Sequence, residues 1–389
     1  MKVFIIAGEA SGDKLGTEMM KGLQNLTEQK VQFTGIGGEG MIGQGLTSLF
    51  PMDQISIMGI GEILSQYVAL KRRIRQTVEA VLKTQPDVLI TIDLPEFNLR
   101  VAQQVKACSS IRTVHYVAPT VWAWRPKRAA KMAPYIDQVL ALFPFEPPYM
   151  QSAGMQCDFV GHPVVTDLQA SLAEVAAFRQ AHHLDAAPLL LVLPGSRSSE
   201  VRRLLPVFGA VVARLTRLHP AIRVVVPTVS AVAAQVQSAV VDWSGKPIVL
   251  MPQAQTSASR QNDKRAAFGA ANLALAASGT VSLELAAADT PMVIAYDMAW
   301  LSRQIIGRML RIDTVTLVNL VSETRVVPEF IGANCDPEKI VPALSALLSD
   351  PDAQHDAMQS TMSRLGRGGT DPGLRAAQAI ISGLRAATH

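Results

Sequence analysis

Short apolar runs and longer helical patterns alternate almost from end to end of this chain, and that alternation restricts its fold more than any other feature. Runs rich in β-forming residues fall at 2–7, 31–35, 88–92, 112–117, 137–142 and 156–160, with helical patterns between most of them, notably 61–84 and 98–108. A second series starts at 189–193 and continues near 222–227, 247–251, 272–276, 291–295 and 315–318. Strands separated by helices build βαβ units, and a parallel strand covered on both faces reads as an unbroken apolar run. Leu189-Leu-Leu-Val-Leu193 is such a run.

The two series are separated near 164–188, where a predicted helix over roughly 169–182 leads through Asp185-Ala-Ala-Pro188 into the new first strand. At 389 residues the chain is too long for one ordinary core. The expected fold class is α/β, with two Rossmann-like doubly wound domains facing a central cleft and helices at the C-terminus. The expected divisions are 1–168, 169–345, and a helical tail over 346–389 that packs back toward the first domain.

Apolar residues make up 49% of the chain and charged residues 17%, which supports sizeable cores and argues against global disorder. A net charge of +4 favours anionic partners mildly but is too small to argue for nucleic acid, and no basic tract interleaved with aromatics is present. Cys108, Cys157 and Cys335 are too far apart in sequence for a CxxC metal site or a disulfide framework, so a reducing compartment is expected. The histidines show no HExxH spacing, and no metal is expected. The apolar start MKVFIIAGEASGD is cut short by Glu9 and Asp13 and reads as a first strand rather than a signal peptide. No run is long enough to span a membrane, so a soluble or surface-attached protein is expected.

Five segments at predicted strand ends could carry chemistry. Gly8-Glu-Ala-Ser-Gly-Asp13 offers a sharp turn and free N–H groups at a helix start, suited to an anion or a sugar oxygen; Ser11 or Asp13 could equally be plain helix caps. Its spacing is neither GxGxxG nor a P-loop. Thr91-Ile-Asp-Leu-Pro-Glu-Phe-Asn98 puts Asp93 at the C-terminal edge of a parallel strand, where such folds bind ligands, making it the candidate general base. A turn or cap aspartate is the competing explanation. Glu96 is a second candidate that also suits an early-helix charge. In Tyr116–Arg128 two tryptophans and several cations resemble a sugar- and phosphate-facing surface, or ordinary packing of Trp122 and Trp124 beside solvated Arg125 and Arg128. Ser11, Asp13, Glu96, Asn98, Trp122 and Arg125 are therefore grouped as cleft candidates, on the acceptor side if the reaction is a transfer.

The other two segments belong to the second series. In Leu193-Pro-Gly-Ser-Arg-Ser-Ser-Glu-Val201, Gly195 allows close backbone approach, Ser196 can donate a hydrogen bond and Arg197 supplies a fork for phosphate oxygens. In Ala277-Ser-Gly-Thr-Val-Ser-Leu-Glu284, the N–H groups of Ser278, Gly279 and Thr280 open a helix, and Glu284 one turn further in can accept both ribose hydroxyls. Capped turns with an exposed Arg or Glu would look the same one at a time. Together they pair a phosphate-reading turn with a ribose-reading acid. Separately, 61–75 mixes Ile63, Leu64, Tyr67, Val68 and Leu70 with four cations, the pattern of a basic amphipathic helix at an anionic bilayer or of a domain helix with a solvated basic face.

The ordered set AGEASGD (7–13), GIGG (35–38), MGIGE (58–62), IDLPEFN (92–98), YVAPTVWAWR (116–125), FPFE (143–146), FVGHP (159–163), LPGSR (193–197) and ASGTVSLE (277–284) resembles the lipid-A-disaccharide synthase family across nearly the whole chain. The resemblance implies a GT-B glycosyltransferase that inverts by single displacement without metal or cofactor. The implied donor is UDP-2,3-diacylglucosamine and the implied acceptor 2,3-diacylglucosamine 1-phosphate (lipid X), giving UDP and a β-1′,6-linked lipid A disaccharide 1-phosphate. It implies that Asp93 is the essential acid and that Ser196, Arg197, Ser278, Gly279, Thr280, Glu284, Asn319 and Glu329 serve the donor side. It also implies a cytoplasmic enzyme held peripherally at an anionic inner-membrane surface through 61–75, and is compatible with a homodimer. Two positions depart from the family pattern: Glu96 stands where Asp is usual, and Gly332 replaces a Gln in the segment Pro328-Glu-Phe-Ile-Gly332. The competing functions are a UDP-sugar 2-epimerase of the same fold and a non-enzymatic carrier of acylated sugars.

Overall fold

The computed structural model describes residues 1–56, 63–252, 257–297 and 312–386. It contains two all-parallel sheets with helices packed against them. The first has β1 (Lys2–Ala7), β2 (Gln32–Ile36), β3 (Thr47–Ser48), β4 (Val88–Ile92), β5 (Arg112–Tyr116), β6 (Gln138–Ala141) and β7 (Gln156–Phe159), in the order β3-β2-β1-β4-β5-β6-β7. The second has β8 (Leu189–Leu193), β9 (Arg223–Pro227), β10 (Ile248–Leu250), β11 (Leu273–Ala276), β12 (Met292–Tyr296) and β13 (Glu329–Ile331), in the order β10-β9-β8-β11-β12-β13. Every residue of β4, β8 and β11 is buried, as unbroken apolar runs require.

Helix periodicity sets the layers on these sheets. Helix Ser198–Leu218 turns Val201, Leu204, Leu205, Phe208, Val211, Val212 and Leu215 toward the second core, an i, i+3, i+4 stripe. Burying each such side chain is worth about 1.5–3 kcal/mol. In the first sheet Gly35 lets β2 lie tight against β1: its φ is +146°, and a Cβ there would sit 1.8 Å from the Ile5 carbonyl oxygen.

In each sheet the strand order reverses beside the first strand, and there ligands approach the carboxyl ends of strands in folds of this kind. Ala7 pairs with Ile92 across β1 and β4, so the turns after residues 7 and 92 open side by side. Leu193 pairs with Ala276 across β8 and β11, which does the same for the turns after 193 and 276.

The chain divides into two compact units, Met1–Pro163 with Gly368–His389, and Val164–Arg367. The tail expected to return as a whole is therefore split. Helix Asp352–Arg364 stays with the second unit: the Gln354 side chain pairs with the Met292 N–H (2.8 Å) and carbonyl (2.9 Å), and Arg364 donates to the Val321 carbonyl at 2.9 Å. Only helix Pro372–Ala386 joins the first unit, along helix Ala10–Leu26. There Gln138 donates to the Ala379 carbonyl at 3.0 Å, and Arg375 stacks 4.9 Å over the Phe159 ring. The stretch 315–318, expected as a strand, is instead irregular at 315–316 and opens helix Leu317–Ser322, and β13 takes the edge position. The Glu329 carboxylate accepts the N–H groups of Val315 (3.0 Å) and Thr316 (2.7 Å), so these donors are lost to any strand ladder.

The contact between the last helix and helix Ala10–Leu26 depends on absent side chains. A Cβ at Gly373 would meet the Glu18 backbone at 2.7 Å, and one at Gly22 would meet the Gly373 oxygen at 2.9 Å. Backbone cannot retreat as a flexible side chain can. Gly373→Val should lower unfolding free energy by about 1–3 kcal/mol through overpacking, read as a lower urea midpoint at unchanged slope. An unshifted midpoint would mean the helices are not packed this closely.

Candidate functional site

In the second unit, the turns after β8 and β11 border one cavity of about 630 Å³. Gly195, Ser196, Arg197 and Glu200 form one wall, Ser278, Gly279, Thr280 and Glu284 another, and Pro227, Leu250 and Met251 an apolar rim. Two segments far apart in sequence are thus brought to one pocket. Gly195 has φ +109°, open to few residues but glycine, and a Cβ there would lie 2.9 Å from Glu200 Oε2. Arg197 Nη1 lies 3.2 Å from Glu200 Oε1, yet its side chain remains 80% exposed and can swing onto a ligand. Glu284 pairs with Lys264, which also lines the pocket. Glu200 and Lys264 were not anticipated as site residues: a helix N3 glutamate and a helical lysine carry no signal of their own in sequence.

In the first unit, Asp93 is exposed at the end of β4 on a left-handed turn, φ +48° at Asp93 and +43° at Leu94. Each non-glycine residue in that region costs about 1–2 kcal/mol. The turn is held from below. Asn98, fully buried, donates from Nδ2 to the carbonyls of Ile92 (3.0 Å) and Asp93 (2.8 Å), while the Asp93 N–H donates to the Tyr116 carbonyl at 2.9 Å. The neighbouring strand exit is strained as well: Val117 has φ +81° and Arg125 φ +53°. A β-branched residue at positive φ is unusual, and such strain gathers at functional sites.

Several residues proposed as ligand contacts turn inward instead, each for a definable reason. Asp13 caps the helix Glu39–Gly43 from across the fold, accepting the N–H groups of Gly38 (2.8 Å), Gly40 (2.9 Å) and Met41 (3.1 Å). Asn98 is the strut just described. Trp122 is buried, its indole N–H donating to Glu146 Oε1 at 3.2 Å and its ring edge-on to Phe145 at 5.0 Å. Asn319 is 1% exposed, with Nδ2 donating to the Val327 carbonyl (2.9 Å) and Oδ1 accepting its N–H (3.0 Å). Glu329 takes the hydroxyl of Thr314 and the N–H groups of Val315 and Thr316. Neither Asn319 nor Glu329 borders the pocket; they shape the segment 314–319. Ser11, Glu96 and Arg125 are exposed, Glu96 pairing with Arg100 at 3.2 Å and Arg125 stacking 4.3 Å over Trp124.

Two buried titratable groups flank these strand exits. Burial pushes the Glu146 carboxyl up to about 7 against the hydrogen bonds it accepts. Burial, with the positive charge of Arg128 second, lowers His115 to about 4, and its Nδ1 lies 2.8 Å from the Thr91 hydroxyl. Folding therefore favours neutral His115. Its contribution is complete above the unfolded value of 6.5 and is lost as pH falls from there through 4. His115→Phe should make unfolding free energy less steep in that window by up to ~1.4 kcal/mol per pH unit, the effect of one proton, as read by urea titrations at pH 4.5 and 7. Parallel curves for the two proteins would show that the ring is not buried neutral.

The sequence comparisons with known proteins agree on one family. The lipid-A-disaccharide synthetase family pattern matches residues 3–378. The lipid-A-disaccharide synthase of Ruegeria pomeroyi is 61% identical over 384 residues, covering 99% of this chain and 96% of that protein, and that of Rhodospirillum centenum is 44% identical over 385 residues, covering 98% and 94%. Among solved structures, the UDP-GlcNAc 2-epimerase of Neisseria meningitidis bound to UDP-GlcNAc superposes with a TM-score of 0.62 at 12% identity, covering 99% of this chain and all of that one. The calicheamicin glycosyltransferase CalG4 gives 0.57 at 14%, covering 99% and 98%. These distant structures share the fold. The full-length identities go further: the chain belongs to the lipid-A-disaccharide synthase family.

Proposed function

We propose that the protein transfers 2,3-diacylglucosamine from UDP-2,3-diacylglucosamine to 2,3-diacylglucosamine 1-phosphate, releasing UDP and a β-1′,6-linked disaccharide 1-phosphate. The observation that carries this reading is the convergence of Ser196–Arg197 and Ser278–Glu284 on one pocket of nucleotide size. Arg197 and the start of helix Ser198–Leu218 supply positive charge where a diphosphate would sit, and Glu284, oriented by Lys264, supplies the acceptor for a ribose diol. Glu329 and Asn319 act on the donor side indirectly, by fixing the segment 314–319.

In the proposed step the acceptor 6-hydroxyl oxygen attacks the anomeric carbon of the donor. Asp93 takes the hydroxyl proton, the bond from C1 to the phosphate oxygen breaks, and its electron pair leaves with UDP. One displacement inverts the α-linked donor to a β-linkage. Protein groups alone carry this scheme: a base for the proton and fixed positive charge for the departing diphosphate. Asp93 is exposed and strained into place, which suits a base that must meet a second substrate.

Positioned general bases contribute roughly 10²–10⁴-fold, so Asp93→Asn should lower kcat by that factor and leave UDP affinity nearly unchanged. Glu284→Ala should instead weaken UDP binding, by about tenfold if one charge-assisted hydrogen-bond pair is lost, seen by calorimetric titration. Effects in the opposite sense would exchange the two roles.

We further propose peripheral attachment to an anionic membrane through the helix Ile63–Thr84. Gly61, Glu62 and MGIGE (58–62) lie outside the described residues. From Leu70 onward the apolar stripe of this helix (Leu70, Ile74, Val78, Val81) is core, so attachment rests on its outward face, where Lys71, Arg72 and Arg75 are exposed. Among the described residues no helix is long and apolar enough to cross a membrane. Each basic residue contributes about 1 kcal/mol at such a surface. The triple change of Lys71, Arg72 and Arg75 to Gln should abolish sedimentation with phosphatidylglycerol vesicles at 50 mM salt; undiminished binding would place the contact elsewhere.

A further inference from the structure

Glu146 is 2% exposed and sits one residue before helix Pro147–Gln151, in a part of the first unit that the proposed step does not use. Its two oxygens face different loops. Oε2 accepts the N–H groups of Leu142 (3.1 Å) and Phe143 (3.0 Å), at the exit of β6. Oε1 accepts the indole N–H of Trp122 (3.2 Å), in the loop 117–126 that leaves β5. The aromatic rings close around this link: Phe145 stands edge-on to Trp122 with centroids 5.0 Å apart, and Phe143 stacks on Phe145 at 5.4 Å.

The chemistry of the three donors limits what can occupy this position. All three are N–H groups, arriving on both ends of the side chain. A carboxyl group offers an acceptor oxygen at each end. A glutamine offers one oxygen, and its amide nitrogen would point a second donor at whichever N–H remains. A buried donor left without a partner costs about 1–3 kcal/mol, more than a typical net hydrogen bond returns. An ionisable group in an aromatic cage is expensive in its own right. Its presence here matches a demand for acceptors at both ends.

Anchoring Trp122 has a consequence beyond the cage. The loop 117–126 begins beside the acid: the Asp93 N–H donates to the carbonyl of Tyr116, the last residue of β5, and Val117 donates to Leu140 at 3.0 Å. The loop starts at Val117, φ +81°, and carries Arg125, φ +53°. Residues held in such conformations relax unless the surrounding contacts over-determine them. Within the loop the backbone bonds are local, from Ala123 and Trp124 to Thr120, both 3.2 Å. The indole N–H ties the loop to a different strand exit.

We propose that Glu146 is a positioning residue of the transfer reaction: by clamping Trp122 it holds the loop 117–126, with Arg125, in the conformation that receives the acceptor beside Asp93. This rests on the reading of Asp93 as the base of the step. Glu146 touches no substrate. It acts through Trp122, so the two residues should behave as one unit on the acceptor side and leave the nucleotide side alone.

The test compares Glu146→Gln, Trp122→Phe and the double variant, at a temperature well below each midpoint of unfolding. Three quantities are read: UDP affinity by calorimetry, kcat, and KM for the acylated acceptor. Leaving one buried group of the Trp122–Glu146 link unpaired predicts that each single variant loses about 10–100-fold in kcat/KM for the acceptor while its UDP dissociation constant stays within about twofold of the parent. The double variant should lose no more than about twofold beyond the worse single one, because both changes cut the same link. Parental kcat/KM in folded Glu146→Gln, or fully additive losses in the double variant, would overturn the proposal. So would a lowered unfolding midpoint with unchanged kinetics, which marks a purely structural role. If Glu146→Gln does not fold, Trp122→Phe carries the test alone, since it keeps the carboxyl and removes the link; a parental value there is equally fatal. Asp93→Asn separates the underlying reading: parental kcat in that variant removes the base, whereas acceptor-side losses at Glu146 and Trp122 would still stand.

Discussion

Left-handed backbone at the carboxyl ends of parallel strands, pinned by buried polar side chains, is the constraint on which the rest of this structure depends. Asp93 projects because Ile92 and Asp93 surrender their carbonyls to Asn98, and because Leu94 follows Asp93 into a region that non-glycine residues avoid. Without the buried amide, the strain would relax and the carboxylate would lose its direction. At residues 38–41 a polar side chain from elsewhere does related work without left-handed backbone: Asp13 reaches across to three N–H groups of the next helix start. In the second unit Gly195 supplies the freedom and Glu200 fills the space beneath it.

These devices explain which parts of the fold and site were legible in the sequence. Burial on both faces of a sheet leaves a continuous apolar run, so β4 and β8 announce themselves, and the pocket follows because strand ends in such sheets converge where the order reverses. Ser196, Arg197, Ser278, Gly279, Thr280 and Glu284 were found by that logic and do border one pocket. The candidates that turn inward share a reason. A polar side chain near a strand end looks the same whether it meets a ligand or caps a distant helix. Asp13 and Gly38 are 25 positions apart, and nothing local reveals that one satisfies the other. Asn319 and Glu329 stitch their own segment together for the same hidden purpose.

Glu146 and Val117 show where sequence reading is silent. The glutamate that ends FPFE carries no local sign of burial, yet three N–H groups draw it into an aromatic cage. Valine carries no signal for positive φ, which only the pull of neighbouring strand exits imposes. The strand expected at 315–318 failed similarly: β-branched residues there favour a strand locally, but Glu329 takes the donors that a ladder would need.

In the proposed reaction a nucleotide diphosphate held by the second unit leaves as a sugar moves onto an acylated acceptor. The most direct check follows UDP release and product mass together, with UDP-2,3-diacylglucosamine and 2,3-diacylglucosamine 1-phosphate both present and then with each omitted. Transfer should give one disaccharide phosphate per UDP released, and neither product when the acceptor is left out. A donor converted to its 2-epimer with no disaccharide, or both substrates bound with no UDP released, would contradict it.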